Sequence, residues 1–166
     1  MDPPEHDAQR KVVSPIVAPS NLANLEGTIR RHVIEILDQL PRGEVIDWVE
    51  RVSIELTTRM LATLFDFPFE QRRKLTHWSE VASADLTSGG EINTEEKRIA
   101  ALGECLATFK QLLIERANQP PKGDLVSMLA HSPMVDMDDQ QLLSTLILLI
   151  IGGNDTTRNS ISGGLL

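Results

Sequence analysis

Three observations predict an all-α fold. Nearly every stretch between turn signals repeats its apolar residues with helical period, no segment sustains period-two alternation, and clusters of Pro and Gly divide the chain at helix-sized intervals. The 166 residues are 41% apolar, enough for a core, and amount to one domain or a piece of a larger one.

The first helix is expected from about Glu5 to Val13. Asp2 can cap it, Pro3 suits its first position, and Glu5 can complete a capping box. Ser14-Pro15 ends it, and Pro19 is expected to keep the chain irregular until about Asn21. Leu22, Leu25, Ile29, Val33, Ile36, Leu37 and Leu40 then form one stripe, stopped by Pro41-Arg42-Gly43. Asp47 caps a helix whose inward positions are Val49, Val52, Leu56, Met60, Leu64 and Phe65. Pro68 opens the next, with Leu75, Trp78 and Val81.

Asp85 to Asn93, holding Ser88-Gly89-Gly90, reads as a loop. Thr94-Glu95-Glu96 starts a long helix reaching about Ala117, ahead of Asn118-Gln119-Pro120-Pro121. A short helix from Leu125 to Ala130 and a last one from about Asp138 complete the series, and there is no internal repeat. Both ends read as cut: a helix begins with almost no leader, and Leu165-Leu166 closes the chain with nothing to cap or pack it.

A formal charge of −8 and a pI near 5.0 argue against a nucleic-acid partner, which needs a basic stripe. Arg10-Lys11, Arg30-Arg31 and Arg72-Arg73-Lys74 lie beside acids, and most read as solvated helix faces. Cys105 is the single cysteine, so neither an internal disulfide nor a cysteine metal cluster can form within this chain. No signal peptide is visible, and the longest apolar run falls short of the roughly 20 residues that span a bilayer. The expectation is a cytoplasmic protein.

Leu142 to Ile151 reads as a fully buried apolar helix, yet Gly152-Gly153-Asn154-Asp155-Thr156-Thr157 comes directly after it. Glycine costs a helix interior about 1 kcal/mol against alanine, and the polar groups need partners. Leu148, Gly152 and Thr156 lie at i, i+4 and i+8, with Ile151, Asp155 and Asn159 alongside. Glycines, a hydroxyl and a carboxylate on a dry helix suit a site that binds a small molecule and delivers protons to it. A glycine-mediated helix crossing, with the Thr satisfied by its own backbone, accounts for the same spacing. His6 and Arg10, also at i, i+4, suit a pair of carboxylates, or else a surface pair bonded to Asp2, Asp7 or solvent.

Asp2-Pro3-Pro4-Glu5-His6 with Arg10, joined far downstream by Gly152-Gly153-Asn154-Asp155-Thr156-Thr157, resembles the bacterial cytochrome P-450 haem-thiolate monooxygenases. The resemblance spans residues 1–166, from that family's C helix to the middle of its I helix. It implies that His6 and Arg10 bind the propionates of haem b, that Gly152 and Gly153 lie over the haem and form the oxygen groove, and that Asp155 and Thr156 deliver protons. It further implies that Leu148 and Ile151 contact substrate, and that residues 85–93 form the lid between the family's F and G helices. Gly152 to Ser160, together with Arg51 to Phe69 (RVSIELTTRMLATLFDFPF), looks like the branch that hydroxylates alkanes and fatty acids at the terminal carbon. Electrons would come from NAD(P)H through ferredoxin reductase and ferredoxin, with Lys11 a candidate to face the donor.

The sequence departs from that family where the iron ligand belongs. Cys105 lies in a helical stretch, Leu102 to Ala107, without the Gly-rich ligand loop, and reads as a small core thiol. The family's Glu-x-x-Arg helix is missing too, so this chain by itself is expected to be inactive. His32 is expected at a helix's solvent boundary, His77 as a packed surface residue and His131 in a loop. No two histidines have metal-ligand spacing, and Asp136, Asp138 and Asp139 suit capping better than calcium. The rival class is a non-enzymatic all-α module that binds another protein through its acidic surface and apolar helices.

Overall fold

A computed structural model describes residues 4, 6, 7, 10, 11, 14, 15 and 18–165. Every regular element among them is helical. His6, Asp7, Arg10 and Lys11 are helical, and Ser14 donates its backbone N–H to the Arg10 carbonyl at 2.9 Å, in keeping with a first helix ending there. The expected cap Asp2, with Pro3 and Glu5, lies outside the described residues.

Helix α1 runs Pro19–Asp38. Its start corrects the expectation that Pro19 holds the chain irregular: the fixed φ of proline and its missing N–H suit the first helical position, where no intrahelical bond is lost. A π-helical segment, Val49–Ile54, leads into α2, Glu55–Phe65. Asp47 caps it as expected, its Oδ1 accepting from the Glu50 N–H at 3.0 Å. The inward stripe is different from the one read off the sequence. Val52 and Phe65 are buried as expected, but Val49 is exposed and Leu56, Met60 and Leu64 are only half-buried, whereas Thr57, Thr58, Leu61 and Ala62 are buried. A π-turn holds an extra residue and rotates the helix beyond it, so a 3.6-residue count carried across it loses register.

Beyond a 3-10 turn at Phe69–Gln71, α3 spans Arg73–Ser83. The Asp85 to Asn93 stretch is a loop, and α4 occupies Glu95–Ala117 with Thr94 as N-cap. Helix α5, Leu125–Ala130, is capped by Asp124, and α6, Asp139–Gly163, by Asp138. These boundaries obey the local signals, because each cap is a side-chain oxygen taking up an N–H that the first turn leaves free.

The core gathers where α2, α3, α4, α5 and α6 meet. Phe65, Phe67, Trp78 and Phe109 form an aromatic cluster of edge-on and tilted pairs, with Phe65 and Phe109 centroids 5.4 Å apart. Leu146 and Ile150 bring α6 into it. Cys105 is buried there on α4, as expected of a core thiol.

His32 is not at a solvent boundary: it is 8% exposed, stacked on Phe69 at 6.1 Å, with no hydrogen bond to its Nδ1. Phe69 extends over it from the turn after α2, a contact that the period of α1 does not encode. His77 is exposed, and His131 lies just past α5 with its ring bonded to the Ser127 and Gln119 carbonyls. Arg72 departs from the solvated reading of its cluster. With Arg59 and Arg73 it converges on the Glu55 carboxylate at 2.7–3.0 Å. Burial pushes the Glu55 carboxyl up, but the bonds from Arg59 and Arg72 outweigh it and hold the group below its usual range.

Candidate functional site

Helix α6 packs on α2, α3, α4 and the π-segment along one side only. Leu142, Thr145, Leu146, Ile150 and Asn154 form that buried side. The opposite side is open, so the expectation of a fully buried Leu142 to Ile151 helix is corrected: Leu148 is 70% exposed. Apart from Ser144 and Thr145 the stretch is apolar, so from Leu146 to Ile151 its pattern does not distinguish one side from the other, and only the neighbouring helices do.

On the open side the structure does bring the predicted residues together. Leu148, Gly152 and Thr156 are all exposed and succeed one another at helical spacing, with Ile151 half-buried at their edge. A Cβ built on Gly152 meets nothing within 4 Å. The glycine is therefore not required by packing among the described residues, and a flat group can approach its backbone closely. The Thr156 hydroxyl donates to the Gly152 carbonyl at 3.1 Å, leaving its own oxygen free to accept a bond from a ligand on that side.

Gly153 serves a different purpose. A Cβ there would lie 2.7 Å from Cδ2 of the buried Leu61, so this glycine lets α6 close onto α2. The two glycines thus face different surroundings, one ligand-accessible and one packed.

Asp155 turns from the open side toward α3. Its Oδ1 accepts from the Ser79 hydroxyl at 3.1 Å and from the Asn154 amide at 3.3 Å, and Arg158 is ion-paired to the same oxygen at 3.3 Å. Arg158 also reaches Glu80 on α3 at 3.5 Å. Asn154 is fully buried and takes a bond from Thr57 on α2 at 2.9 Å. Ser162 donates to Ser53 at 2.8 Å further along. A seam of hydroxyls and amides therefore joins α6 to its neighbours just below the open face, and satisfying each buried polar group is what makes the seam tolerable. Ser79 and Thr57 were not among the predicted site residues; they stand 76 and 97 residues from their partners, and nothing local marks them.

His6 and Arg10 are exposed, with His6 bonded to Asp7 at 3.0 Å. Among the described residues no hydrogen bond or ion pair links either to α6. No group of His, Cys, Asp and Glu among the described residues is arranged to hold a metal ion. Burial, and then the neighbouring Glu104, push the Cys105 thiol up to about 12, so it stays protonated and off the open face. The donor set fits the roof of a haem site: a bare, apolar and hydroxyl-bearing helix face, with no thiolate ligand beside it. Among the described residues, no helix is long and apolar enough to cross a membrane.

No family model matches the chain. Individual proteins do match. The chain is 31% identical over 167 residues to linalool 8-monooxygenase of Pseudomonas putida, covering 98% of this chain and 40% of that one. Among solved structures, cytochrome P450-153 from Novosphingobium aromaticivorans superposes with a TM-score of 0.85 at 46% identity, over 98% of this chain and 39% of that chain. CYP153D17 from Sphingomonas sp. PAMC 26605 gives 0.85 and 46% as well, over 99% and 41%. The chain spans about 40% of the length of the relatives it matches. With the all-helical architecture, these likenesses place the chain in the cytochrome P450 family.

Proposed function

We propose that the protein carrying this chain is a haem-dependent monooxygenase that inserts one oxygen atom from O2 into a C–H bond of an apolar substrate. The observation that carries this reading is the open face of α6, where Gly152 has no neighbour to exclude a Cβ and the Thr156 hydroxyl stands beside it. The substrate class we assign is alkanes or fatty acids attacked at the terminal carbon. The Gly152 to Ser160 motif and the stretch Arg51 to Phe69 support it.

Bound haem supplies the activation of O2. This chain contributes position, proton supply and exclusion of water. Gly152 lets the flat group lie against the helix, while Gly153 acts from behind by setting how close α6 comes to Leu61. Leu148 and Ile151, one turn earlier, give the substrate an apolar wall. His6 and Arg10 are assigned to the propionates, since two donors one helical turn apart match paired carboxylates. Thr156 holds a proton donor in place through its oxygen, and Asp155 hands protons inward from solvent. Electrons from NAD(P)H through ferredoxin reductase and ferredoxin, in the cytoplasm, belong to the same proposal, with Lys11 facing the donor.

The test is Thr156→Ala in the whole protein, measuring O2 consumed, peroxide released and product formed. Oxygen use should continue while product per NAD(P)H falls and peroxide rises, with unfolding by urea little changed. Full coupling in Thr156→Ala would sink the role given to Thr156. A non-enzymatic binding module would show a packing effect only, with no haem spectrum in the purified protein.

A further inference from the structure

We propose that Ser79 is a positioning residue for proton delivery, acting with Arg158 to clamp one oxygen of Asp155 and leave the other for the proton. The inference rests on the assignment of Asp155 as the proton carrier. Its own basis is the asymmetry of the carboxylate. Ser79 and the Asn154 amide both donate to Oδ1, and Arg158 approaches the same atom. Among the described residues nothing donates a hydrogen bond to Oδ2. A carboxylate held through one oxygen has its plane fixed, and its second oxygen keeps its lone pairs for exchange with water.

The clamp is built to be stiff. Ser79 is fully buried on α3, so its hydroxyl has little room to turn elsewhere. Arg158, on α6, is anchored at its far nitrogen by Glu80, the residue after Ser79, so both arms of the clamp are tied to the same turn of α3. Asn154, the third donor, is itself fixed by Thr57. Asp155 therefore reports the position of α3 relative to α6. The side chain is 25% exposed, which keeps a route to water.

The test uses the whole protein with Ser79→Ala, Asp155→Asn and Ser79→Thr for turnover, and Ser79→Ala, Asp155→Ala and their double variant for unfolding. Ser79→Ala should lower product formed per NAD(P)H by about 3- to 10-fold, the effect of losing one ordinary intramolecular hydrogen bond. KM should stay put, the solvent isotope effect on product formation should grow, and Ser79→Thr should restore coupling by keeping the hydroxyl. The contact itself is read without turnover. In urea unfolding, Ser79→Ala should shift the midpoint when residue 155 is Asp and not when it is Ala, which has no oxygen to accept the bond.

Additive unfolding effects would overturn the proposal, because Ser79 would then not act on Asp155. Wild-type coupling in Ser79→Ala beside poor coupling in Asp155→Asn would overturn it too, while the role of Asp155 itself stands. Wild-type coupling in Asp155→Asn would remove both. If the extra methyl of Ser79→Thr prevents folding, Arg158→Gln reads the other arm of the clamp: lowered coupling supports it, and unchanged coupling overturns it.

Discussion

Adding one methyl group at residue 152 and one at residue 153 should change stability in opposite directions. At Gly152 an added Cβ has open space for 4 Å around it. Alanine there removes backbone freedom from the unfolded chain and meets no obstacle, so Gly152→Ala should stabilise by about 0.5–1 kcal/mol. At Gly153 the new carbon would stand 2.7 Å from Cδ2 of Leu61. Carbon atoms prefer about 3.5–4.0 Å, so roughly 1 Å of separation must be recovered. Leu61 is 2% exposed and its neighbours are core residues, which leaves its far end little freedom to yield. Overpacking of this kind costs about 1–3 kcal/mol and the helix-propensity gain offsets about 1, so Gly153→Ala should be net destabilising by about 0–2 kcal/mol. Urea unfolding of each variant, compared by midpoint at constant slope, measures both. If Gly153→Ala proves as stable as Gly152→Ala, the contact with Leu61 is not what holds a glycine there. The same geometry has a functional corollary. Gly152→Ala should fold better and yet disturb whatever lies on the open face, seen as an altered haem absorption spectrum in the whole protein.

Two further outcomes arise from buried titratable groups. Burial, and then the charge of Arg59, lower His32 from its ordinary 6.5, against the pull of Glu35. The unfolded chain then takes up a proton before the folded one does. Stability from this residue is complete above 6.5 and falls as pH drops from there toward the lower folded value. His32→Phe, which keeps a ring against Phe69, should flatten the urea midpoint between about pH 8 and about pH 5; an unchanged slope would remove His32 as its source. Cys105, held at about 12 and fully buried, should resist iodoacetamide in the folded protein at about pH 8 and react once urea unfolds it, whereas prompt labelling would contradict its burial.

The sequence by itself determined where most helices begin and stop, the start of α1 at Pro19 excepted, and which residues are held in line at the site. Thr94 and Asp138 each place a helix start within one residue, because a cap is a bond between side chain and backbone three residues apart. The spacing of Leu148, Gly152 and Thr156 is likewise a property of the helix alone. Tertiary structure decided which side of each helix is covered. The apolar run of α6 gives no sign that Leu148 is bare while Ile150 is enclosed, and α1 gives none that Phe69 covers His32. Nor does the Gly-Gly pair show that one member meets Leu61 and the other meets nothing. Ser79 and Asp155, or Thr57 and Asn154, meet only because three helices converge. Such contacts depend on how whole helices lie against one another, and a local repeat of 3.6 residues holds no record of that.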